Sequence, residues 1–227
     1  MSDRIILFSV TPLMKVCLLA LACLLPPLVV GAPVQTNLVF NGSFESNVLR
    51  SDAPDGWAAA GNPAVKQQLV RDAGRNGKAC AKLECTEFTG DGPDYHAMVC
   101  QVGRISVQRG QWYRLTFWAK GQGIKGGAVK VALSNTRPWE NIGLAEAIRT
   151  GARWERFEFL FRARSDLPAA TSRLQFWFKS TGMLWLDQVE LTASSEGQQT
   201  TMSRFVNPSA ACWWLIAAGS ASAPANA

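Results

Sequence analysis

Residues 113–120 read Tyr-Arg-Leu-Thr-Phe-Trp-Ala-Lys, and this stretch decides the fold class. Apolar and polar side chains alternate along it, as is typical of a β-strand with one buried face. The face predicted to be buried carries Tyr113, Leu115, Phe117 and Ala119. The opposite face is then left to Arg114, Thr116, Trp118 and Lys120.

The same period of two recurs from residue 65 onward, and no stretch after the N-terminal region keeps apolar residues at helical spacing for three turns. Candidate strands are 37–40, 65–70, 79–85, 96–102, 104–108, 112–120, 128–134, 154–163, 172–179 and 183–192. Runs rich in Gly, Asp, Asn and Pro separate them. Residues 141–150 are interpreted as a loop element with at most one helical turn. The chain is therefore predicted to be all-β, a two-sheet β-sandwich.

Strand 172–179 places a tryptophan among polar neighbours. Leu174, Phe176 and Phe178 form its apolar set, so Gln175, Trp177 and Lys179 project from the other face. A sugar ring presents C–H patches on its faces and hydroxyls around its edge. A flat indole with amide and cationic groups nearby therefore suits a sugar site.

Aromatic side chains outside the predicted core are the candidate carbohydrate-binding residues. The predicted site consists of Trp118, Trp177, Gln175, Trp139, Arg114, Lys179 and Tyr95, with His96 beside Tyr95 as a weaker candidate. Two exposed indoles without a partner would form an adhesive patch, which favours a ligand. The alternative is that a loop covers these rings or that they pad an outer sheet surface. Packing roles are expected for Trp57, Trp112, Trp154 and Trp185.

Two signals frame the predicted sandwich. Asn37-Leu-Val-Phe-Asn-Gly-Ser-Phe-Glu45, followed by Gly56-Trp57, opens it, and Trp185-Leu-Asp-Gln-Val-Glu-Leu191 closes it. This order resembles the family 4/9 type of carbohydrate-binding module, over roughly residues 37–192. The resemblance implies a galactose-binding-like β-jelly-roll that binds a polysaccharide or oligosaccharide without catalysis.

The resemblance also implies a structural calcium ion held by Glu45 and Asp187 together with backbone carbonyls. Gln188 stands where many relatives have a second acid. The alternative is that Glu45 caps a turn and that Asp187 is an ordinary edge-strand residue.

The N-terminal region indicates export. Residues 16–32 form an uncharged apolar run after Lys15 that ends in small residues, so residues 1–32 are predicted to be a signal peptide. The sandwich is then expected over 33–193, and a linker and unstructured or truncated tail over 194–227. A secreted, periplasmic or cell-surface monomer without an integral membrane span is expected, with lipid anchoring at Cys23 left open.

Cysteine placement leaves one disulfide to consider. Cys80 and Cys85 fall on opposite faces of one strand and cannot pair. If strands 79–85 and 96–102 form a hairpin, Cys85 and Cys100 come close enough to bond. No Cys/His cluster supports zinc.

Composition and motifs argue against several other functions. The net charge of +6 is spread as single Lys and Arg residues, whereas nucleic-acid binding calls for a basic stripe. His96 is the single histidine, there is no G-x-S-x-G motif, and no glycine-rich phosphate loop opens a helix. The rival hypotheses are a small β-sandwich polysaccharide hydrolase or lyase and a galactose-binding-like protein-interaction module.

Overall fold

Regular structure in the protein is almost entirely β. The computed structural model describes residues 36–76 and 78–195. The strands are β1 (Ala58–Ala60), β2 (Lys66–Ala73), β3 (Ala79–Glu87), β4 (Ala97–Val102), β5 (Trp112–Gln122), β6 (Ala128–Asn135), β7 (Glu140–Arg149), β8 (Glu155–Arg162), β9 (Ser172–Phe178) and β10 (Gly182–Ser194). Two 3₁₀ turns interrupt them, Lys125–Gly127 and Ala169–Thr171. In this part of the chain no helix has the length and apolarity needed to span a membrane.

The strands form two five-stranded sheets. The first sheet has the order β1-β4-β9-β6-β7, and the second has the order β2-β3-β10-β5-β8. Every neighbouring pair is antiparallel. The predicted all-β two-sheet sandwich is confirmed. The predicted signal peptide 1–32, with Cys23, and the tail from residue 196 onward lie outside the described residues.

One hydrophobic core lies between the inner faces of the two sheets. The side chains predicted to face inward on β5 and β9 are buried in it. Phe117 of the second sheet meets Phe176 of the first edge-on, with ring centroids 5.0 Å apart. Burying one such side chain contributes about 1.5–3 kcal/mol, so these rings supply much of the adhesion between the sheets.

The start of the domain is fastened to its end. The backbone N–H of Leu38 donates to the carbonyl of Leu191 at 2.8 Å. The Asn37 side chain donates to the Val189 carbonyl at 3.1 Å and accepts from the Leu191 N–H at 2.9 Å. We call this set of bonds between residues 37–38 and 189–191 the clasp. It explains why the chain carries both an opening and a closing motif, since the two contact each other in the fold.

The opening motif builds a close backbone crossing next to the clasp. Gly42 lies against Val189, whose N–H donates to the Gly42 carbonyl at 2.8 Å. A β-carbon on Gly42 would overlap the Val189 carbonyl oxygen, so no larger residue fits there. Phe44 is fully buried and packs on Trp57 at 5.1 Å. The Trp57 indole in turn donates to the Asn41 carbonyl at 3.2 Å, which confirms its packing role.

Residues 141–150 are not a loop, and that expectation was wrong. β7 pairs with β6 at the edge of the first sheet, and Ile142, Leu144 and Ile148 enter the core. Glu146 is exposed although it shares the parity of these residues, and Ala145 and Ala147 on the other parity are apolar, so the period of two is obscured. Ala and Glu are also good helix formers.

Three shorter assignments also differ. Residues 37–40 form turns and the clasp instead of a strand, because Asn41 and Phe44 adopt φ values of 48° and 60°. Residues 104–108 contribute a single bridge, from Val107 to Leu167. β1 has only three residues, too few for alternation to reveal it.

The possible Cys85–Cys100 disulfide is absent. β3 and β4 do not form a hairpin, because the chain crosses from the second sheet to the first between them. Cys85 faces the core, whereas Cys100 pairs with Gln175 on the outer side of the first sheet. Both thiols are free and buried, as is Cys80. Burial raises the pKa of each thiol, that of Cys80 to about 12.

Candidate functional site

The outer face of the first sheet carries the candidate site. Strand pairing places Lys130 of β6 and Met98 of β4 directly opposite Trp177 of β9. Directly opposed residues of antiparallel strands share a face, so these three side chains form one row across the sheet. The next row on this face lies two residues along β9 and runs through Gln175. Its other members have small side chains: Ala145, Ala132, Cys100 and Ala58.

A depression lies beside Trp177 on this face. It has a volume of about 340 Å³, and we call it the groove. Its lining consists of Pro93, Asp94, His96, Met98, Trp139, Arg173, Gln175 and Trp177. Gln175 is the member of the second row that lines the groove, and the two indoles belong to its walls. A groove with these walls suits a flat ligand with polar groups at its edge.

A second, smaller depression lies on the other side of the same indole. It has a volume of about 180 Å³, and we call it the lysine pocket. Its lining consists of Lys125, Ala128, Lys130, Trp177, Phe178 and Lys179. Trp177 is half-buried and borders both depressions, so a ligand lying across it would reach the two sets of polar groups.

Trp139 stands at the rim of the groove. It lies in the turn between β6 and β7, is 66% exposed and has a φ of 53°. The Arg173 guanidinium lies 5.2 Å from its ring centroid, within the range of a cation–π contact. This contact holds the exposed indole against the sheet. The predicted candidates Trp177, Gln175 and Trp139 are thus brought together in one groove.

The loop before β4 closes one end of the groove. The Lys179 ammonium donates to the Gly92 carbonyl at 2.7 Å, and a Nδ1 contact of 3.0 Å joins His96 to the Pro93 carbonyl. Burial lowers the pKa of His96, so the imidazole is neutral at pH 7. Tyr95 packs over Gly90, where a β-carbon would overlap its ring. Tyr95 therefore supports the loop and lines neither depression.

Trp118 and Arg114 line neither the groove nor the lysine pocket. Both lie on β5, on the outer face of the second sheet, so the structure does not bring them together with Trp177. The Arg75 guanidinium lies 3.5 Å from the Trp118 ring centroid and covers the indole. Arg114 pairs with Glu158. Trp118 is therefore not a bare platform.

The rest of that outer face is also occupied by cation–π contacts. The Lys120 ammonium lies 5.0 Å from the Trp154 ring and 4.7 Å from the Trp185 ring. The Trp185 indole donates to Asp72 at 2.8 Å, and this bond is the main cause that lowers the pKa of Asp72. The packing role expected for Trp154 and Trp185 agrees with these contacts.

Some lining residues were missed from the sequence. Arg173 shares the face of Gln175 by parity, so alternation along β9 could have found it. Strand pairing places Lys130 in the lysine pocket and Met98 in the groove. Alternation within one strand does not reveal such pairing. Lys125 comes from the 3₁₀ turn before β6, for which the sequence offers no pattern.

The two predicted metal ligands both accept hydrogen bonds from the segment between β2 and the start of β3. Asp187 is 5% exposed, and its Oδ2 accepts the N–H of Arg75 at 3.1 Å. The Glu45 Oε1 accepts the N–H of Ala79 at 3.1 Å. Within residues 36–76 and 78–195 no group of three or more His, Cys, Asp or Glu side chains gathers. Further ligands for a hard cation would therefore be backbone carbonyls, which is the kind of oxygen that calcium accepts.

Two solved structures share this architecture. The N-terminal cellulose-binding domain of a Cellulomonas fimi β-1,4-glucanase aligns with 18% identity and a TM-score of 0.50, over 70% of this chain and 97% of that one. An α-L-arabinofuranosidase with bound arabinose aligns with 12% identity and a TM-score of 0.54, over 69% of this chain and 26% of that one. At such identities the likeness concerns the fold alone. Comparison with curated proteins gave no match.

The model of one protein family matches most of the sandwich. That family is described as a carbohydrate binding domain, and its model covers residues 36–183. The match includes the opening motif, the whole of the groove and the lysine pocket. The chain belongs to family 4/9 of the carbohydrate-binding domains.

Proposed function

We propose that the protein binds a polysaccharide or oligosaccharide non-catalytically in the groove of the first sheet. The observation that carries this proposal is the position of Trp177, a half-buried indole between two depressions on an outer sheet face. A pyranose stacked on this ring would bury apolar surface on both sides. Gln175 and Arg173, on the same strand, are placed to select the pattern of hydroxyls.

The polar groups of the groove support binding rather than hydrolysis. Glycosidases that use protein carboxylates need two of them, flanking the bond that is cleaved. Asp94 is the one carboxylate among the described residues that line the groove, and it is exposed at the rim.

We further propose that the protein is an exported monomer, either secreted, periplasmic or on the cell surface.

Affinity electrophoresis of the full chain tests the proposed function. Migration should be retarded by at least one of soluble β-glucan, xylan, mannan and alginate, and the protein should release no reducing or unsaturated ends from any of them. Release of such ends would replace the proposal with a hydrolase or lyase. Unchanged migration in every gel would contradict glycan binding and favour a protein-interaction role.

We also propose that Glu45 and Asp187 hold a structural calcium ion. Both carboxylates reach the same turn and use one oxygen each for a backbone N–H, which leaves the second oxygen of each to bind a cation. Bound calcium would neutralise two acids that join the opening of the chain to its last strand. The two carboxylates themselves fix the ends of the turn.

Chelator is therefore expected to lower the melting temperature. With calcium at about 100 times its Kd, removal should cost about 2.7 kcal/mol, or roughly 5–10 °C for a domain of this size. Differential scanning fluorimetry with calcium and with EGTA measures the shift. A Glu45→Gln/Asp187→Asn variant should show no response to either. Superimposable curves for the unaltered protein would refute the calcium site.

A further inference from the structure

The surroundings of Trp177 are strongly cationic. Lys125, Lys130 and Lys179 line the lysine pocket and are all exposed. Among residues 36–76 and 78–195, none of the three ammonium groups forms an ion pair with a carboxylate. Elsewhere on the sandwich cations do find acids, as in the pair of half-buried Lys82 with Glu84 and the pair of exposed Arg156 with Glu158. The lysine pocket thus concentrates positive charge that the domain itself leaves unneutralised.

The groove on the other side of the indole is lined by one cation, Arg173, and one acid, Asp94. Arg173 lies over Trp139, and its Nε is buried without a hydrogen-bond partner among the described residues. Asp94 is the one acid in the lining of the two depressions, against four cations. A neutral sugar would not offset the repulsion among these cations, whereas an anionic one would.

Strand geometry places the charges where a stacked sugar has its edge. Lys130 is directly opposite Trp177, which puts the two β-carbons about 4.5–5.5 Å apart. Lys179 is two residues further along the chain, just beyond the end of β9. The Lys179 ammonium is held by the Gly92 carbonyl, and the backbone N–H of Lys125 donates to the Ser180 hydroxyl at 3.1 Å. Substituents of a ring lying on the indole point outward in its plane, and the three lysines line the pocket that borders the indole on one side.

We propose that the site takes an anionic glycan, one whose ring edge carries a carboxylate or a sulfate ester. The inference rests on the proposed function, because it assumes that a sugar stacks on Trp177. Trp177 would supply contact, and the three lysines with Arg173 would select the charge. Since the lysines are exposed, the preference is expected to weaken as salt screens it.

Matched polymers test this selection. The full chain is run in affinity gels that contain alginate, polygalacturonate or glucuronoxylan, each before and after its carboxyl groups are reduced to give the neutral sugar. A second pair of gels contains dextran sulfate and uncharged dextran. At low salt at least one anionic polymer should bind roughly tenfold more tightly than its neutral counterpart. Preference for the uronate over its reduced form identifies a carboxylate, and preference confined to dextran sulfate identifies a sulfate ester; either result supports the proposal.

Two triple variants locate the effect. Lys125→Gln/Lys130→Gln/Lys179→Gln should lose most of the tenfold preference, because only Arg173 of the four cations remains. Lys66→Gln/Lys78→Gln/Arg153→Gln removes the same charge at other exposed positions and should keep the tenfold preference. Equal loss in both variants would overturn the proposal, because it would show attraction by net charge alone. Melting curves should show both variants folded.

The failure of this inference differs from the failure of the proposed function. If neutral and anionic polymers retard the unaltered chain equally, glycan binding stands and selection by charge is overturned. If no polymer of either kind retards it, the proposed function itself is overturned, and the inference falls with it.

Discussion

Gly42→Ala is expected to lose about 3–5 kcal/mol of unfolding free energy, close to the upper limit for a single substitution. The added methyl group would overlap the Val189 carbonyl oxygen, which is backbone and cannot rotate away. Moving Val189 would stretch its bond to Gly42 and those of the clasp. Since each kcal/mol shifts the melting temperature of a domain of this size by about 2–4 °C, the variant should melt roughly 6–20 °C lower.

Gly151→Ala is the matched control for this prediction. A β-carbon there would meet only the Glu155 carboxylate, at 3.9 Å, so the change should be within about 0.5 kcal/mol. Urea unfolding followed by tryptophan fluorescence compares the two variants. Equal midpoints would show that the backbone crossing at Gly42 is not as tight as the structure indicates.

Trp177→Ala is expected to abolish measurable glycan retention. Truncating a central aromatic anchor in a binding site costs about 2–4 kcal/mol, or roughly 30- to 1000-fold in affinity. The ring borders both depressions, so its loss removes the shared wall and the stacking surface together. Because the indole is half-buried on an outer face, the melting temperature should fall by only a few degrees. Affinity electrophoresis on the glycan that retards the unaltered chain measures the effect.

Trp118→Ala provides the contrasting variant. Trp118 is covered by Arg75 on the opposite side of the sandwich, so its removal should leave retention unchanged. Equal loss of retention in the two variants would mean that binding does not depend on the groove. Full retention in Trp177→Ala would move the site away from the first sheet.

Within single strands the sequence predicts the structure well. Alternation in β5 and β9 separates core from surface at every predicted position, because each strand has one face in a continuous core. Buried faces are dictated by hydrophobicity, which acts residue by residue. The all-β class and most strand positions follow from the same signal.

The assignment of strands to sheets does not follow from that signal. Trp118 and Trp177 have equivalent positions within their strands, yet one lies on each sheet, so a single platform was predicted where the structure has two separate faces. The same limit applies to Cys85 and Cys100, because a hairpin and a crossover between sheets begin with similar polar loops. The lysine pocket also depends on pairing between β6 and β9, which are distant in the chain.

The clasp has a mechanical consequence. Because Leu38 and Leu191 are hydrogen-bonded, the first and last parts of the described sandwich lie side by side. A force that pulls the two ends of the sandwich apart would load the Leu38–Leu191 and Asn37–Leu191 hydrogen bonds first. The core and the groove would stay unstrained until those bonds break. A domain that is bound to a polymer and pulled at its ends would thus open first at the clasp.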